Sequence, residues 1–192
     1  MYLLVKRGFD IVFALLSLVT LSPFFVIISI LVLLSSKGGI FYMQNRVGKN
    51  NVDFKIIKFR SMKANSGKLL GSDGSYITLE NDDRITKVGA FLRRYSLDEL
   101  PQIINVLLGQ MSFVGPRPDL RVHSDNYTEI QSRKLLVKPG ITGLNQCLYR
   151  NSIELRHRLS LDVIYVERIS FCLDIFILFQ TLKMVLSGSG LR

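Results

Sequence analysis

The chain has no tryptophan, only two histidines and only two cysteines in 192 residues, and each scarcity removes a class of function. The histidines are far apart and Cys147 and Cys172 lack metal-ligand spacing, which argues against a His/Cys metal centre. Two cysteines cannot build a disulfide-rich secreted scaffold. With no signal-peptidase site after the apolar stretch, they read as reduced thiols of a protein facing the cytosol. No nucleic-acid motif occurs, and the seven tyrosines are scattered rather than grouped with basic residues. Internal repeats and low-complexity tracts are absent as well. Acids are the scarcer charge, 15 against 25 Lys and Arg, for a net charge of +10.

What is present is a chain both apolar and basic. Its mean hydropathy is +0.28, high for a soluble protein, and such a combination suits an anionic membrane surface, nucleic acid or a phosphorylated substrate. The length allows one domain plus a membrane element. Ile11 to Ser36 carries no charge, and as one straight helix would span about 39 Å, enough to cross a hydrocarbon core of roughly 30 Å. Ser22-Pro23 lies near its middle, where proline removes a backbone hydrogen bond and bends a helix. Each arm alone, at roughly 18 Å, enters the core without crossing it. Lys6-Arg7 precede the segment and Lys37 follows it, so both ends carry the charge of a cytosolic flank. Charge alone leaves a kinked span and a re-entrant helix-break-helix open. The Ser22 hydroxyl is the expected partner for backbone freed at the break. Asp10 is either a local ion pair with Lys6 and Arg7 or a solvated charge.

A stretch from Arg93 to Asp119, RRYSLDELPQIINVLLGQMSFVGPRPD, sets two adjacent carboxylates, Asp98 and Glu99, between a basic pair and a rigid loop. Pro101 predicts a helix beginning near Ser96 to Asp98, with Ile103, Ile104, Leu107 and Leu108 as its apolar face. That puts both acids at a helix N-terminus, where ionised carboxylates are favoured. Ser96-x-x-Glu99 also fits a capping box, and Asp98 an N-cap, so a purely structural role stands beside a chemical one. Successive helical residues point about 100° apart, so two acids here would have two tasks. In Gly115-Pro116-Arg117-Pro118 the backbone is fixed on both sides of one arginine. That suits either bidentate phosphate binding or a plain turn.

Around this stretch, Ile40 to Gln44 and Val52 to Phe59 read as strands of an antiparallel hairpin turning at Gly48-Lys49-Asn50-Asn51. Arg46, Lys55, Lys58 and Arg60 make it basic. Ala64 to Asp83 reads as a mobile loop, and Arg84 to Arg94 as a short helix burying Ile85, Val88, Phe91 and Leu92. Val122 to Leu136 reads as a polar surface helix carrying Glu129, Arg133 and Lys134. Lys138-Pro139-Gly140-Ile141-Thr142-Gly143 reads as a tight loop able to cradle an anion. Ile153 to Leu186 is helical, and its run Phe171 to Phe179 is too short to span a bilayer. It reads as an amphipathic helix in the interface or as a buried core helix.

SLDELPQ, NVLLGQMSFVGPRP and KPGITGLNQ, in this order, resemble the bacterial sugar transferase family, the monotopic phosphoglycosyl transferases. Gln110 and Asn145 depart from the pattern, standing where the family is expected to have an acid and an aromatic residue. The resemblance implies a mostly helical α+β fold. Residues 1–37 would form a re-entrant membrane helix broken at Ser22 and Pro23, and residues 38–192 a catalytic domain on the cytosolic face of the bacterial inner membrane. It implies transfer of a sugar phosphate from a UDP-sugar, of N-acetylated or modified type in small members, to polyprenyl phosphate. In that chemistry Asp98 is the nucleophile and a Mg2+ ligand, Glu99 assists, Lys58 and Arg117 hold phosphates, and Asp162 in LDVIYVER is an active-site acid. Downstream glycosyltransferases are possible partners. The rival from the residues alone is a non-catalytic, membrane-tethered basic binding or scaffold module.

Overall fold

In a computed structural model, which describes residues 2–67, 69, 71, 79, 82–149 and 154–187, the chain is mostly helical with two small two-stranded sheets. Helix α1 (Tyr2–Ser35) leads into a hairpin of β1 (Phe41–Val47) and β2 (Asp53–Phe59). Then come α2 (Lys87–Arg94), a single 3-10 turn (Leu97–Glu99), α3 (Gln102–Leu107), β3 (Ser112–Val114), α4 (Arg121–Ser124) and α5 (Glu129–Ser132). A second 3-10 turn (Arg133–Leu136), β4 (Gly140–Thr142), α6 (Leu144–Tyr149), α7 (Leu155–Glu167) and α8 (Phe171–Leu186) complete it. Much of the loop expected over Ala64 to Asp83 falls outside the described residues.

Helix α1 runs unbroken through Pro23, so the expected break is one missing hydrogen bond rather than two separate helices. Proline cannot donate to the carbonyl four residues back, that of Val19. The Ser22 hydroxyl donates to it instead, at 2.8 Å. Asp10, Ala14, Leu18, Leu21, Phe25, Ile28 and Val32 recur at helical spacing and form one stripe against the rest of the chain. Ala14 joins Phe54, Ile56, Ile103, Val106 and Met111. Ile28 and Val32 join Phe59 and Leu92. The other faces, including Leu16, Val19, Phe24 and Val26, stay exposed.

Polar ties fix the same helix. Arg7 donates to the Val106 and Leu107 carbonyls, the orphan acceptors at the end of α3. Asp10 is neither solvated nor paired with Lys6; it accepts from the Ser112 hydroxyl and the Phe113 N–H. Lys6 bonds Asp174 on α8, and Asp174 also accepts from Tyr2 and Tyr165. Asp174 thus ties α8 to α1 and α7, Ile177 packs on Val114, Leu144 and Cys147, and Phe171, Ile175, Phe179 and Leu182 remain exposed.

The hairpin is longer than its hydrophobic run suggests, because β1 continues to Val47. Its tight turn needs left-handed backbone at Asn50 and Asn51 (φ 56° and 63°), a conformation asparagine tolerates. The register sets Tyr42, Gln44 and Arg46 opposite Lys58, Ile56 and Phe54, so all six share one face. Asn105 of α3 closes the β2 edge, accepting from the Ile57 N–H and donating to the Lys55 carbonyl and to Gln110.

Several local expectations change. In α2 Leu92 is buried, whereas Phe91 is exposed and lies against Tyr95. The buried face of α3 is Gln102, Ile103, Asn105 and Val106, because the helix starts after Pro101; Leu108 is exposed. The Val122 to Leu136 region breaks into short turns around a buried Lys134. The Lys138 to Gly143 loop is not an anion cradle: β4 pairs parallel with β3, and the Gly140 N–H donates to the Pro116 carbonyl.

That strand pair packs backbone on backbone. A Cβ on Gly140 would lie 2.1 Å from the Gly115 nitrogen and 2.3 Å from the Thr142 carbonyl oxygen. Gly140→Ala is therefore expected to cost about 1–3 kcal/mol or more, read as a drop of roughly 2–4 °C per kcal/mol in the thermal midpoint of the detergent-purified protein. Gly39→Ala meets no atom within 4 Å and, as a control carrying only the strain of its positive φ, is expected to fall by less.

Candidate active site

Three segments converge on the acid pair. The first is the 3-10 turn Leu97–Glu99, entered through Ser96 in left-handed backbone (φ 56°) whose side chain makes no capping bond. The capping-box reading therefore fails, and the Glu99 side chain is available elsewhere. Residues one apart in a 3-10 turn point about 120° apart, so Asp98 and Glu99 face different surroundings.

The second segment is the inner face of the hairpin. Alternation puts Lys58 on the same side as Phe54 and Ile56, and its ammonium sits 2.5 Å from Glu99 Oε1. Arg46 shares that face. It donates to the Pro118 carbonyl at 3.3 Å and to Gln44 Oε1 at 2.9 Å. The third segment is the Gly115–Asp119 loop, whose Arg117 brings Nη2 to 3.6 Å from Glu99 Oε1. Lys58, Arg117 and Arg46 thus crowd one carboxylate.

Electrostatics separates the two acids. Burial pushes Glu99 up, but Lys58 and Arg117 outweigh it and hold the group down at about 2. Asp98 moves the other way: burial and then the neighbouring Glu99 charge raise it, and Lys58 and Arg93 offset this only partly. Arg46 is held down to about 10 by burial and by Arg117. Among the described residues no ion pair holds Asp98. A buried carboxylate of raised basicity beside fixed cations is a competent nucleophile toward an anionic phosphorus centre.

Of the residues expected at the site, Asp98, Glu99, Lys58 and Arg117 come together, and Asp162 does not join them. Asp162 is 1% exposed, and its carboxylate bonds Lys134 at 2.7 Å and Asn145 at 3.1 Å. It belongs to a layer behind the Arg117 loop, because it projects from the buried side of α7. The two departures from the family pattern also lie away from the acid pair: Gln110 accepts from Asn105, and Asn145 is fully buried on Asp162. Arg46 is the site residue whose role went unassigned in the sequence. Its signal is the hairpin register, which ties its face to that of Lys58.

A divalent cation is tested by its donors. Mg2+ takes hard oxygen ligands, commonly one or two carboxylates completed by substrate phosphates. Asp98 fits as such a carboxylate, while Glu99 is already engaged by Lys58. Among the described residues no group of three or more His, Cys, Asp or Glu side chains forms a protein-only cage.

Since the folded-state value of Asp98 is raised, its ionisation opposes folding. The loss of stability sets in as pH rises from the ordinary carboxyl range through that raised value, and is complete above it. Asp98→Asn is expected to raise the thermal midpoint at pH 7, with a gain that shrinks on acidification. Unchanged or lower midpoints at neutral pH would refute this account.

A model of the family described as bacterial sugar transferase matches residues 1–188. An Aeromonas hydrophila protein named UDP-N-acetylgalactosamine-undecaprenyl-phosphate N-acetylgalactosaminephosphotransferase is 37% identical, over all of this chain and 46% of its own length. The Sinorhizobium fredii exopolysaccharide production protein ExoY is 38% identical over 96% of this chain and 87% of its own. An Escherichia coli UDP-glucose:undecaprenyl-phosphate glucose-1-phosphate transferase is 42% identical over 93% of this chain and 39% of its own. The chain thus spans less than half of two of these relatives and most of the third.

Proposed function

The chain belongs to the bacterial sugar transferase family, and from that premise we propose that it transfers a sugar phosphate from a UDP-sugar to undecaprenyl phosphate, releasing UMP. The observation that carries the reading is the divided acid pair, one carboxylate neutralised by Lys58 and Arg117 and its neighbour kept basic. The relatives whose names specify such transfers support the substrate classes.

In this reading Lys58, Arg117 and Arg46 bind the diphosphate, with Glu99 holding Lys58 and Arg117 in position. An Asp98 carboxylate oxygen attacks the sugar-bearing β-phosphorus, and the bond to the α-phosphate oxygen breaks to release UMP. The aspartyl sugar phosphate that results is attacked by an oxygen of the polyprenyl phosphate. This restores Asp98 and yields a polyprenyl diphosphosugar, a substrate for downstream glycosyltransferases. Bound Mg2+ would supply charge neutralisation on the diphosphate, with Asp98 as its protein ligand.

The acceptor keeps its tail in lipid and its phosphate at the surface, so the site must sit at that depth. Both halves of α1 rest on the charged domain. A helix crossing the roughly 30 Å core would drag part of that domain into hydrocarbon. We therefore read α1 as a re-entrant element bent at Ser22 and Pro23, with α8 lying in the interface of the inner membrane and the domain on the cytosolic side. The relatives' names span N-acetylgalactosamine and glucose; an N-acetylated or modified sugar, in line with the first of these names, is the choice proposed.

UMP release is to be measured with undecaprenyl phosphate, Mg2+ and a panel of UDP-sugars in nanodiscs. Wild-type turnover with one sugar, and at least about a thousand-fold loss in Asp98→Asn, is expected. Equal release by both proteins would remove Asp98 as nucleophile.

A further inference from the structure

Arg117 owes its aim to a loop whose backbone is held at every step. The carbonyls of Pro116, Arg117, Pro118 and Asp119 accept, in order, from the Gly140 N–H at 2.9 Å, Lys134 Nζ at 3.0 Å, Arg46 Nη1 at 3.3 Å and the Val47 N–H at 3.0 Å. The second of these differs from the rest. Pro118 has no N–H, so the peptide unit joining Arg117 to Pro118 offers only its carbonyl as a hydrogen-bonding handle. Pro118 also confines Arg117 to extended backbone. Whatever holds that carbonyl sets the plane from which the arginine side chain departs.

Lys134 holds it, and with no freedom left. An ammonium has three protons; those of Lys134 go to the Arg117 carbonyl, to Asp119 Oδ2 at 2.7 Å and to Asp162 Oδ2 at 2.7 Å. Both acids are also held at their other oxygen, Asp119 Oδ1 by Arg158 and Asp162 Oδ1 by Asn145, and Tyr127 donates to the Asp119 oxygen that Lys134 shares. Lys134 is 3% exposed, too deep to touch a substrate. Buried ionic groups are costly, and apolar replacements of whole clusters are often neutral or stabilising, so stability is a weak reason for this one.

We propose that Lys134, oriented by Asp119 and Asp162, is a positioning residue that aims Arg117 at the diphosphate of the nucleotide sugar. The inference rests on the function read above for Arg117. It also gives Asp162 a task at one remove from the site, and explains why α7 and the Arg133–Leu136 turn pack behind a loop they do not join in chemistry.

Lys134→Met alone would leave two buried carboxylates facing one another and is expected to misfold. The swap Lys134→Met/Asp162→Asn removes one charge of each sign and leaves Asp119 paired with Arg158. It is to be combined with Arg117→Ala in a double-mutant cycle, read as kcat/KM for the nucleotide sugar and as affinity for UDP by calorimetry, with thermal midpoints as the fold control. In the wild-type background the swap is expected to lower both readouts about tenfold. In the Arg117→Ala background the change is expected to stay under twofold, because the group being aimed is gone. Equal losses in the two backgrounds, or no loss in either, would overturn the proposal. A wild-type protein that binds no UDP and turns over no nucleotide sugar would instead sink the transferase reading, on which the positioning role depends.

Discussion

A carboxylate taken out of water must find a donor or a cation, and this fold is built around meeting that demand. Asp10 is satisfied by Ser112 and Phe113, Asp82 by Arg84, Asp119 and Asp162 by Lys134, and Asp174 by Lys6 and two tyrosines. Each of these contacts joins segments that the chain would otherwise leave apart, save the local Asp82 pair. Asp98 is the exception. It is buried beside an ionised neighbour, and Lys58, the cation that most favours its charged form, is paired with Glu99. A group left short in a chain that satisfies its other buried acids is where reactivity should be sought.

The same logic orders the structure outward from the acid pair. Glu99 collects Lys58 from the hairpin and Arg117 from the loop, so one carboxylate registers two segments against the turn that carries it. The loop is braced by β4, by Arg46 and Val47 of β1 and by Lys134. The hairpin is braced by Asn105. The loop's braces are hydrogen bonds, whereas the hairpin also rests Phe54 and Ile56 on Ile103 and Val106. Specificity of position comes here from directed bonds at the site and from packing further out, where Phe59, Leu92 and Val32 meet.

What could be read in the sequence was whatever depends on local pattern. The hairpin, the short helix before the acid pair, the uncharged N-terminal segment and the paired terminal helices all follow from periodicity and turn residues. Four of the five residues expected to do chemistry converge: Asp98, Glu99 and Arg117 sit beside Pro101, Pro116 and Pro118, and Lys58 is placed by the alternation of its strand. Asp162 stands apart from them because its motif says nothing about depth: it lies on the inward side of α7, and a helix shows its faces only when its neighbours are known. Lys134 was hidden for a related reason. In a polar, weakly periodic stretch a buried lysine looks like a solvated one until Asp119 and Asp162, 15 and 28 residues away, are seen to meet it. The loop Lys138 to Gly143 had the composition of an anion nest, but long-range strand pairing claimed its amide first.

The tie between Lys6 and Asp174 bears on how the molecule comes into being. Its partners stand 168 residues apart, and contacts of such separation form late because the intervening chain must first be ordered. During synthesis α1 is made long before α8. Until Asp174 is made Lys6 lacks its partner, whereas Arg7 can already reach the Val106 and Leu107 carbonyls. The stripe from Ala14 to Val32 can pack earlier as well, on Phe54, Ile103, Phe59 and Leu92. The bond to Asp174 then works as a latch, joining the two ends of a domain whose middle is already in place.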